Sequence, residues 1–362
     1  MGAAGRLTGA YPSPVASSRF VLLGAVLLAV GVLGAVPSAA GATPPPGARH
    51  VPVPAAGRAV DTSHPSRWVG HGTAASCTSR AFVAAVRAGG IIRFRCGPKP
   101  VTIHLARTAK LVNTHARVVI DGRNLVTLDG GGRHRILYLD TCDPKQTWTT
   151  SHCQNQASPR LVVQNLTFAH GNSTGADFDG GGGGAIFDRG GQLRIVHSRF
   201  IANRCESSGP DLGGGAVRAL SQYRNRPVYV TGSVFRGNRC SNGAGLSSIG
   251  VSWVVLNCSF TDGRATGHGA NPRRSGTPGG GSGGAIYTDG NRYTVSIGGT
   301  TMTDNHANEG GGAIFFVSND RTGSLSITWS TLRRNVSARF QTQPGIFFLG
   351  AGRPHVSHSI VR

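Results

Sequence analysis

Gly183-Gly184-Ala185-Ile186, followed by Phe200-x-x-Asn203, is a pair of marks that returns along the second half of this 362-residue chain. The first mark comes back as Gly214-Gly215-Ala216-Val217, Gly243-Ala244-Gly245-Leu246, Gly283-Gly284-Ala285-Ile286 and Gly311-Gly312-Ala313-Ile314, with a worn copy at Pro344-Gly345-Ile346. The second comes back as Phe235-x-x-Asn238, Met302-x-x-Asn305 and Leu332-x-x-Asn335, while Phe168 and Phe260 hold the apolar place where glycine replaces the Asn. A period near 30 residues identifies a solenoid, in which each repeat buries its apolar face only against its neighbours.

Seven and five residues before each Phe-type position stand Leu161 and Val163, Leu193 and Ile195, Val228 and Val230, and so on to Leu325 and Ile327, all apolar. A two-residue step puts both side chains on one face, so each coil is expected to contribute one short strand with an inward pair. Two residues before the Phe-type position runs a column of mostly small residues, from Leu166 through Ser198, Ser233, Cys258 and Thr300 to Ser330, suited to a tight interior corner. Glycine pairs allow positive φ or close backbone approach at another corner, and stacked Asn amides about 4.8 Å apart can bond along the axis. The expected fold is all-β: a single-stranded parallel β-helix.

The alternation of Gly-Gly-Ala-Ile and Phe-x-x-Asn resembles the repeats of the polymorphic outer membrane protein family, and its frame is similar to the pectate-lyase-like (pectin-lyase-like) right-handed β-helix superfamily. The resemblance covers roughly Val118 to Arg362, and the right hand is taken from it. It implies a fold more than a function, because that superfamily holds lyases, hydrolases, adhesins and non-catalytic surface proteins. With nothing after Arg362 to build a membrane β-barrel, autotransport is not expected.

Arg6 and Arg19 precede an uninterrupted apolar run, Phe20 to Val36, then Pro37 and Ala40-Gly41-Ala42. Residues 1–42 therefore read as a secretory signal, with an uncleaved anchor helix as the alternative, and no membrane span is expected after cleavage. Residues 43–66, rich in Pro and Ala, read as an extended linker, 67–140 as an N-terminal cap with the first coils, and 141–362 as β-helix repeats. The cap is expected as a short amphipathic helix over Ser79 to Ala88, opened by Thr78 or Ser79 and stopped by Gly89-Gly90. The final segment sets Val356, Ser359 and Val361 in interior columns, so the last coil is expected to be incomplete and open to capping by a partner.

Seven cysteines in an exported chain favour disulfides. Cys77 and Cys96 bracket the cap helix, and Cys142 and Cys153 close a polar excursion through Pro144 and Trp148. Cys205 and Cys240 each lie five residues after the Phe-type position of successive coils, so stacking sets their Cα atoms about 5 Å apart, within disulfide geometry. Cys258 is left as a buried thiol. No Cys-x-x-Cys or His-x-x-x-His pairing supports zinc, and no metal site is assigned.

The net charge is +22, and +20 once residues 1–42 are removed, since they carry two arginines and no acids. Such a charge suits anionic partners, whether uronic-acid polymers, teichoic acids, nucleic acid or lipid headgroups. Arginines outnumber lysines 34 to 3 beside heavy Ala and Gly, a bias that GC-rich base composition also produces. No compact basic stripe and no nucleic-acid module motif stands out in the linear sequence, so no specific nucleic-acid partner is expected.

A lyase on this fold needs clustered carboxylates for calcium and a basic residue near the sugar's acidic carbon. The candidates are Asp177 and Asp179 with Asp188 one strand later, and His170, Arg189 or Arg218 nearby; calcium enters only in this case. Hydrolases of the polygalacturonase type want an Asp-Asp pair with Gly-His-Gly; Gly70-His71-Gly72 and Gly267-His268-Gly269 occur, but no Asp-Asp pair does. Directly after the Ile-type mark stand Phe187, Arg218, Ser247, Tyr287, Phe315 and Phe347, which make a sugar-stacking platform if they face outward and a core ladder if they face inward. Two insertions, Asn172 to Gly183 and Arg264 to Ser282, share one corner; the second carries His268, Arg273 and Arg274 and is a candidate wall for a cleft.

The expectation is a secreted or cell-surface β-helix that binds an anionic polysaccharide or another cell-envelope polymer without turnover. A polysaccharide lyase acting on an acidic glycan is the alternative, and a structural or partner-assembled surface protein is a third reading.

Overall fold

The computed structural model describes residues 46–176 and 179–362. The signal reading of 1–42 and the candidate Asp177 lie outside them.

Among the described residues, parallel strands stack into three sheets of 17, 8 and 4 strands, with one α-helix, Ser79–Ala88, beside the first coils. All strand pairs within the sheets are parallel and join successive turns of the chain, which makes a parallel β-helix. Each coil does more than the single strand expected of it. One turn runs from Val217–Ser221 in the 8-stranded sheet through Val228–Thr231 and Val234–Arg236 in the large sheet to Arg239–Cys240 in the 4-stranded one. Sequence periodicity finds the segment with the inward pair; strands of two or three residues carry too few alternations to read, and Val217–Ser221 is hidden behind the glycine corner that leads into it.

The inward pairs stack in register: Leu161 on Leu193, Val228 on Trp253, Trp253 on Val295 and Val295 on Leu325. All are essentially inaccessible to water. Beside them Phe168, Phe200, Phe235 and Phe260 form a ladder of parallel rings with centroids 4.9, 4.7 and 4.5 Å apart, the rung spacing of a β-stack. Burial at roughly 25 cal/mol per Å² makes these columns the main source of stability.

The small-residue column is a polar ladder within this core. The backbone N–H of Ser198 donates to Ser233 Oγ, that of Ser233 to Cys258 Sγ, that of Cys258 to Thr300 Oγ1 and that of Thr300 to Ser330 Oγ. Each short side chain thus satisfies an amide that a corner removes from strand pairing. The Asn column bonds in the same sense, Asn203 to Asn238 and Asn305 to Asn335, and is interrupted at Gly263.

The leading glycine of the repeated mark is conformationally required. Gly183, Gly214, Gly283 and Gly311 all have φ between +65° and +77°, and a Cβ on each would collide with main-chain atoms of the residue three positions on.

The helix begins as expected, with Thr78 Oγ1 accepting from the Ala81 N–H at 3.2 Å, and ends at Gly89, φ +67°. Cys77 is bonded to Cys96, Cys142 to Cys153 and Cys205 to Cys240, with Cα separations of 5.6, 4.9 and 4.8 Å. Cys258 is free and buried, and burial pushes its thiol up to about 12.

The Pro/Ala-rich stretch requires a correction. Residues 46–66 are extended but are not a free linker; they form a strap along the outside of the coils. Gly47 N–H donates to the carbonyl of His358 and Arg49 N–H to that of Trp329. Further along, Asn257 brackets Val51 with both amide atoms and Gln164 does the same to Val60. Thr231 then bonds the carbonyl of Gly57, Thr62 bonds Asp121, and Ser66 N–H reaches Ile91 in the first strands. Composition suggested a linker because Pro and Ala supply few donors; here the coils supply the partners.

Candidate functional site: an arginine cleft beneath the strap

Where the strap crosses the first coils it leaves a cleft of about 530 Å³. Ala56 and Val60 form its strap wall, and its floor comes from the outward residues of successive strands. Arg117, Arg160 and Gln192 stand in register on three neighbouring strands, and Val162, Arg194 and Tyr229 on the next column. Arg226, just before the strand Val228–Thr231, completes a group of four guanidiniums lining one cavity.

Three of the four arginines are oriented by neutral acceptors. Arg194 Nη1 donates to the strap carbonyl of Arg58 at 3.0 Å, Arg160 Nε to Ala157 O at 3.4 Å, and Arg226 Nη1 to Gln192 Oε1 at 3.4 Å. None of the four is paired with a carboxylate among the ion pairs of the described residues. Burial lowers the pKa of Arg194, partly offset by Tyr229, yet a guanidinium stays charged at neutral pH. Four like charges against a low-dielectric wall focus a positive potential into the cleft, and planar forks suit the bidentate capture of carboxylate, sulfate or phosphate. The strap approaches this closely because residue 57 is glycine: a Cβ there would press on Tyr229 and Thr231. The lining holds no Asp, Glu, His or Cys; what it supplies is charge and shape.

Of the described lyase candidates, Asp179 and Arg189 border one small opening with Gln154 and Leu220, while Asp188 and His170 are engaged elsewhere. Asp179 is buried and paired with Arg135 Nη1 at 2.7 Å, which in turn packs over Phe187. Asp188 lies inside the coil, fully buried, bonded to the Gln222 amide, with its other oxygen unpartnered. Burial raises its pKa well above the carboxylate range, opposed by the Gln222 bond. Arg218 lies on the outer face of the 8-stranded sheet, buried and bonded to Ser247 Oγ and the carbonyl of Asp211; burial lowers it to about 10. His170 is exposed beside Asp129, at 3.3 Å. Among the described residues no three His, Cys, Asp or Glu side chains are grouped to hold a metal ion.

The aromatic column is neither of the two things expected of it. Its neighbours Ile186, Ile286 and Ile314 belong to the interior, so Phe187, Tyr287 and Phe315 point outward, yet they are 0, 0 and 3 % exposed. Phe187 stacks on Tyr138 under Arg135, and Tyr287 is covered where Asn271 of the second insertion bonds its hydroxyl. Tyr287, Phe315 and Phe347 stack face to face at 5.0 and 5.1 Å, which uses up the ring faces that a sugar would need. Arg274 is held bidentate by buried Glu309, His268 Nε2 meets the Asn308 amide, and Arg273 is exposed. The second insertion therefore braces the outer face, and its loop Asn271-Pro272 borders a shallow groove of about 430 Å³ over Phe315, Phe340 and Phe347.

The cleft arginines were missed because only Arg117 and Arg160 share a place in the repeat, while Arg194 and Arg226 stand elsewhere, and because their cover comes from the strap. A repeat of the Chlamydia polymorphic membrane protein family matches residues 299–317, the span that holds Met302-x-x-Asn305 and Gly311-Gly312-Ala313-Ile314. No curated protein and no solved structure matched the chain.

Proposed function

We propose that this is a cell-surface β-helix protein that binds an acidic polysaccharide, or another anionic polymer of the cell envelope, in the arginine cleft. The observation that carries the reading is the convergence of Arg117, Arg160, Arg194 and Arg226 on one cavity without a paired carboxylate. The match of one coil to a repeat of a membrane-protein family supports placing it at a surface. The lyase alternative has no such support, since Asp179 and Asp188 are each committed to structure on opposite sides of the sheet.

The test is binding of acidic polysaccharides to the purified chain by calorimetry across a salt series, with the double variant Arg160→Ala/Arg226→Ala beside it. Affinity is expected to weaken as salt rises and to fall on the order of tenfold in the variant, since an exposed charge-assisted contact is worth about 0.5–1 kcal/mol or somewhat more. Unchanged affinity in that variant would reject the cleft as the site.

A further inference from the structure

The 4-stranded sheet carries a second cationic array, and its geometry differs from that of the cleft. Arg204 pairs in parallel with Arg239, Arg239 with Arg264, and Arg264 with His306. The residues that follow them, Cys205, Cys240, Ala265 and Ala307, are buried, so by alternation the basic side chains face outward. All three arginines are exposed, and the Cys205–Cys240 disulfide fixes the first two rungs beside one another. The result is a straight row of cations, one per coil, parallel to the solenoid axis.

Such a row is costly to the fold, because like charges directly opposite each other on neighbouring strands are destabilising. The local carboxylates do little to offset it. Asp304 is engaged by Arg334 at 2.7 Å, Glu206 accepts from the Gly175 N–H, and Asp262 lies in the turn before Arg264. None of Arg204, Arg239 and Arg264 joins the ion pairs of the described residues. Arg204 donates to Gly132 O, which holds the first rung in place.

We propose that this ladder is a second binding surface, one that takes a linear acidic glycan lying along the axis with one anionic group per coil. Rungs repeat at about 4.8 Å. A strand of duplex DNA sets its phosphates about 3.4 Å apart along its axis and winds around that axis, so they match neither the spacing nor the straightness of the row. A pyranose chain bearing a carboxylate or sulfate on every residue has a repeat close to one rung and stays in step. The inference shares the ligand class of the proposed function and rests on that reading for it, while the residues and the surface are distinct from those of the cleft.

The experiment is calorimetry with a length series of oligogalacturonates, which carry a carboxylate on every residue, and with hyaluronan oligomers of matched total charge, whose carboxylates fall on alternate residues. Wild-type protein is compared with Arg239→Glu, Arg239→Gln and the cleft variant Arg160→Ala/Arg226→Ala, all checked for unchanged circular dichroism. Two sites are expected in the wild type. Arg239→Glu removes one and Arg239→Gln weakens it, while the cleft variant loses the other and keeps the ladder. Oligogalacturonate affinity at the ladder rises with length until every rung is matched and exceeds that of hyaluronan on the order of tenfold. Binding in Arg239→Glu that equals the wild type overturns the ladder, as does equal affinity for the two glycans or tighter binding of a duplex oligonucleotide. If only the cleft variant is silent, the proposed function fails while the ladder stands.

Discussion

Asn203 and Asn238 meet across adjacent coils: Nδ2 of the first donates to Oδ1 of the second at 3.0 Å, and the same oxygen accepts the backbone N–H of Asn203 at 2.9 Å. Asn238 also donates to the carbonyl of Phe200. Asn238→Ala therefore takes a partner from three buried polar groups at once, the backbone N–H and Nδ2 of Asn203 and the carbonyl of Phe200, with Nδ2 keeping only its bond to the Phe168 carbonyl. At about 1–3 kcal/mol for each such group, a loss of about 3 kcal/mol or more is expected. Asn335, half-buried with the same role, is expected to cost about half as much on substitution. Urea denaturation measures both, and equal losses would deny the ladder its part in stability.

Asp188 gives a pH signature. Its folded pKa is raised by burial, so as pH rises through the unfolded value near 3.9 the unfolded chain gives up a proton that the folded chain keeps, and stability declines until the folded group also ionises. Asp188→Asn removes this dependence. The variant is expected to melt above the wild type at pH 8, with the difference shrinking as pH falls toward 4. A difference that grows on acidification would contradict a neutral carboxyl inside the coil.

The Cys205–Cys240 bond closes a separation of 35 residues. The loop-entropy account assigns such a link about 3–4 kcal/mol. Cys205→Ser/Cys240→Ser is expected to lower the urea midpoint and, by releasing the unfolded chain, to raise the m-value. Peptide mapping under non-reducing conditions checks the pairing itself, with Cys258 recovered as the free thiol.

Gln164 and Asn257 hold the strap by two-point amide bonds to Val60 and Val51. Gln164→Ala/Asn257→Ala is expected to speed trypsin cleavage after Arg49 and Arg58 while the coils resist digestion. Anion affinity at the cleft should fall with it, because Ala56 and Val60 form one wall. Cleavage at the wild-type rate would mean that the remaining strap contacts suffice.

What could be read from residues alone follows how regularly each feature repeats. The inward pairs, the small-residue column and the cysteine pairs recur at fixed offsets from the Phe-type position, so stacking fixes their partners. The ladder was legible too, for Arg204, Arg239 and Arg264 each lie four residues after a Phe, but a net charge spread along the chain hides a row that exists only once the coils stack. The cleft was not legible, because beyond Arg117 and Arg160 its arginines share no offset and residues 46–66 have no counterpart in the repeat. The facing of the Phe187 to Phe347 column was also beyond sequence, since the insertions bury side chains that alternation sends outward.

The strap runs opposite to the order in which the chain is made. Ala48 bonds the Thr331 hydroxyl, a contact across 283 residues, and Gly47 reaches His358 in the last coil. Residues 47–49 therefore have nowhere to dock until Trp329, Thr331 and His358 have taken their place, while Val60 and Thr62 find Gln164 and Asp121 much earlier. Coils can add one upon another through neighbouring contacts, but this closure has the highest contact order in the molecule and must come late. The strap accordingly docks from its C-terminal end backward, Thr62 and Val60 before Val51 and Gly47, and a chain arrested before Trp329 would leave residues 47–49 undocked and open to proteases.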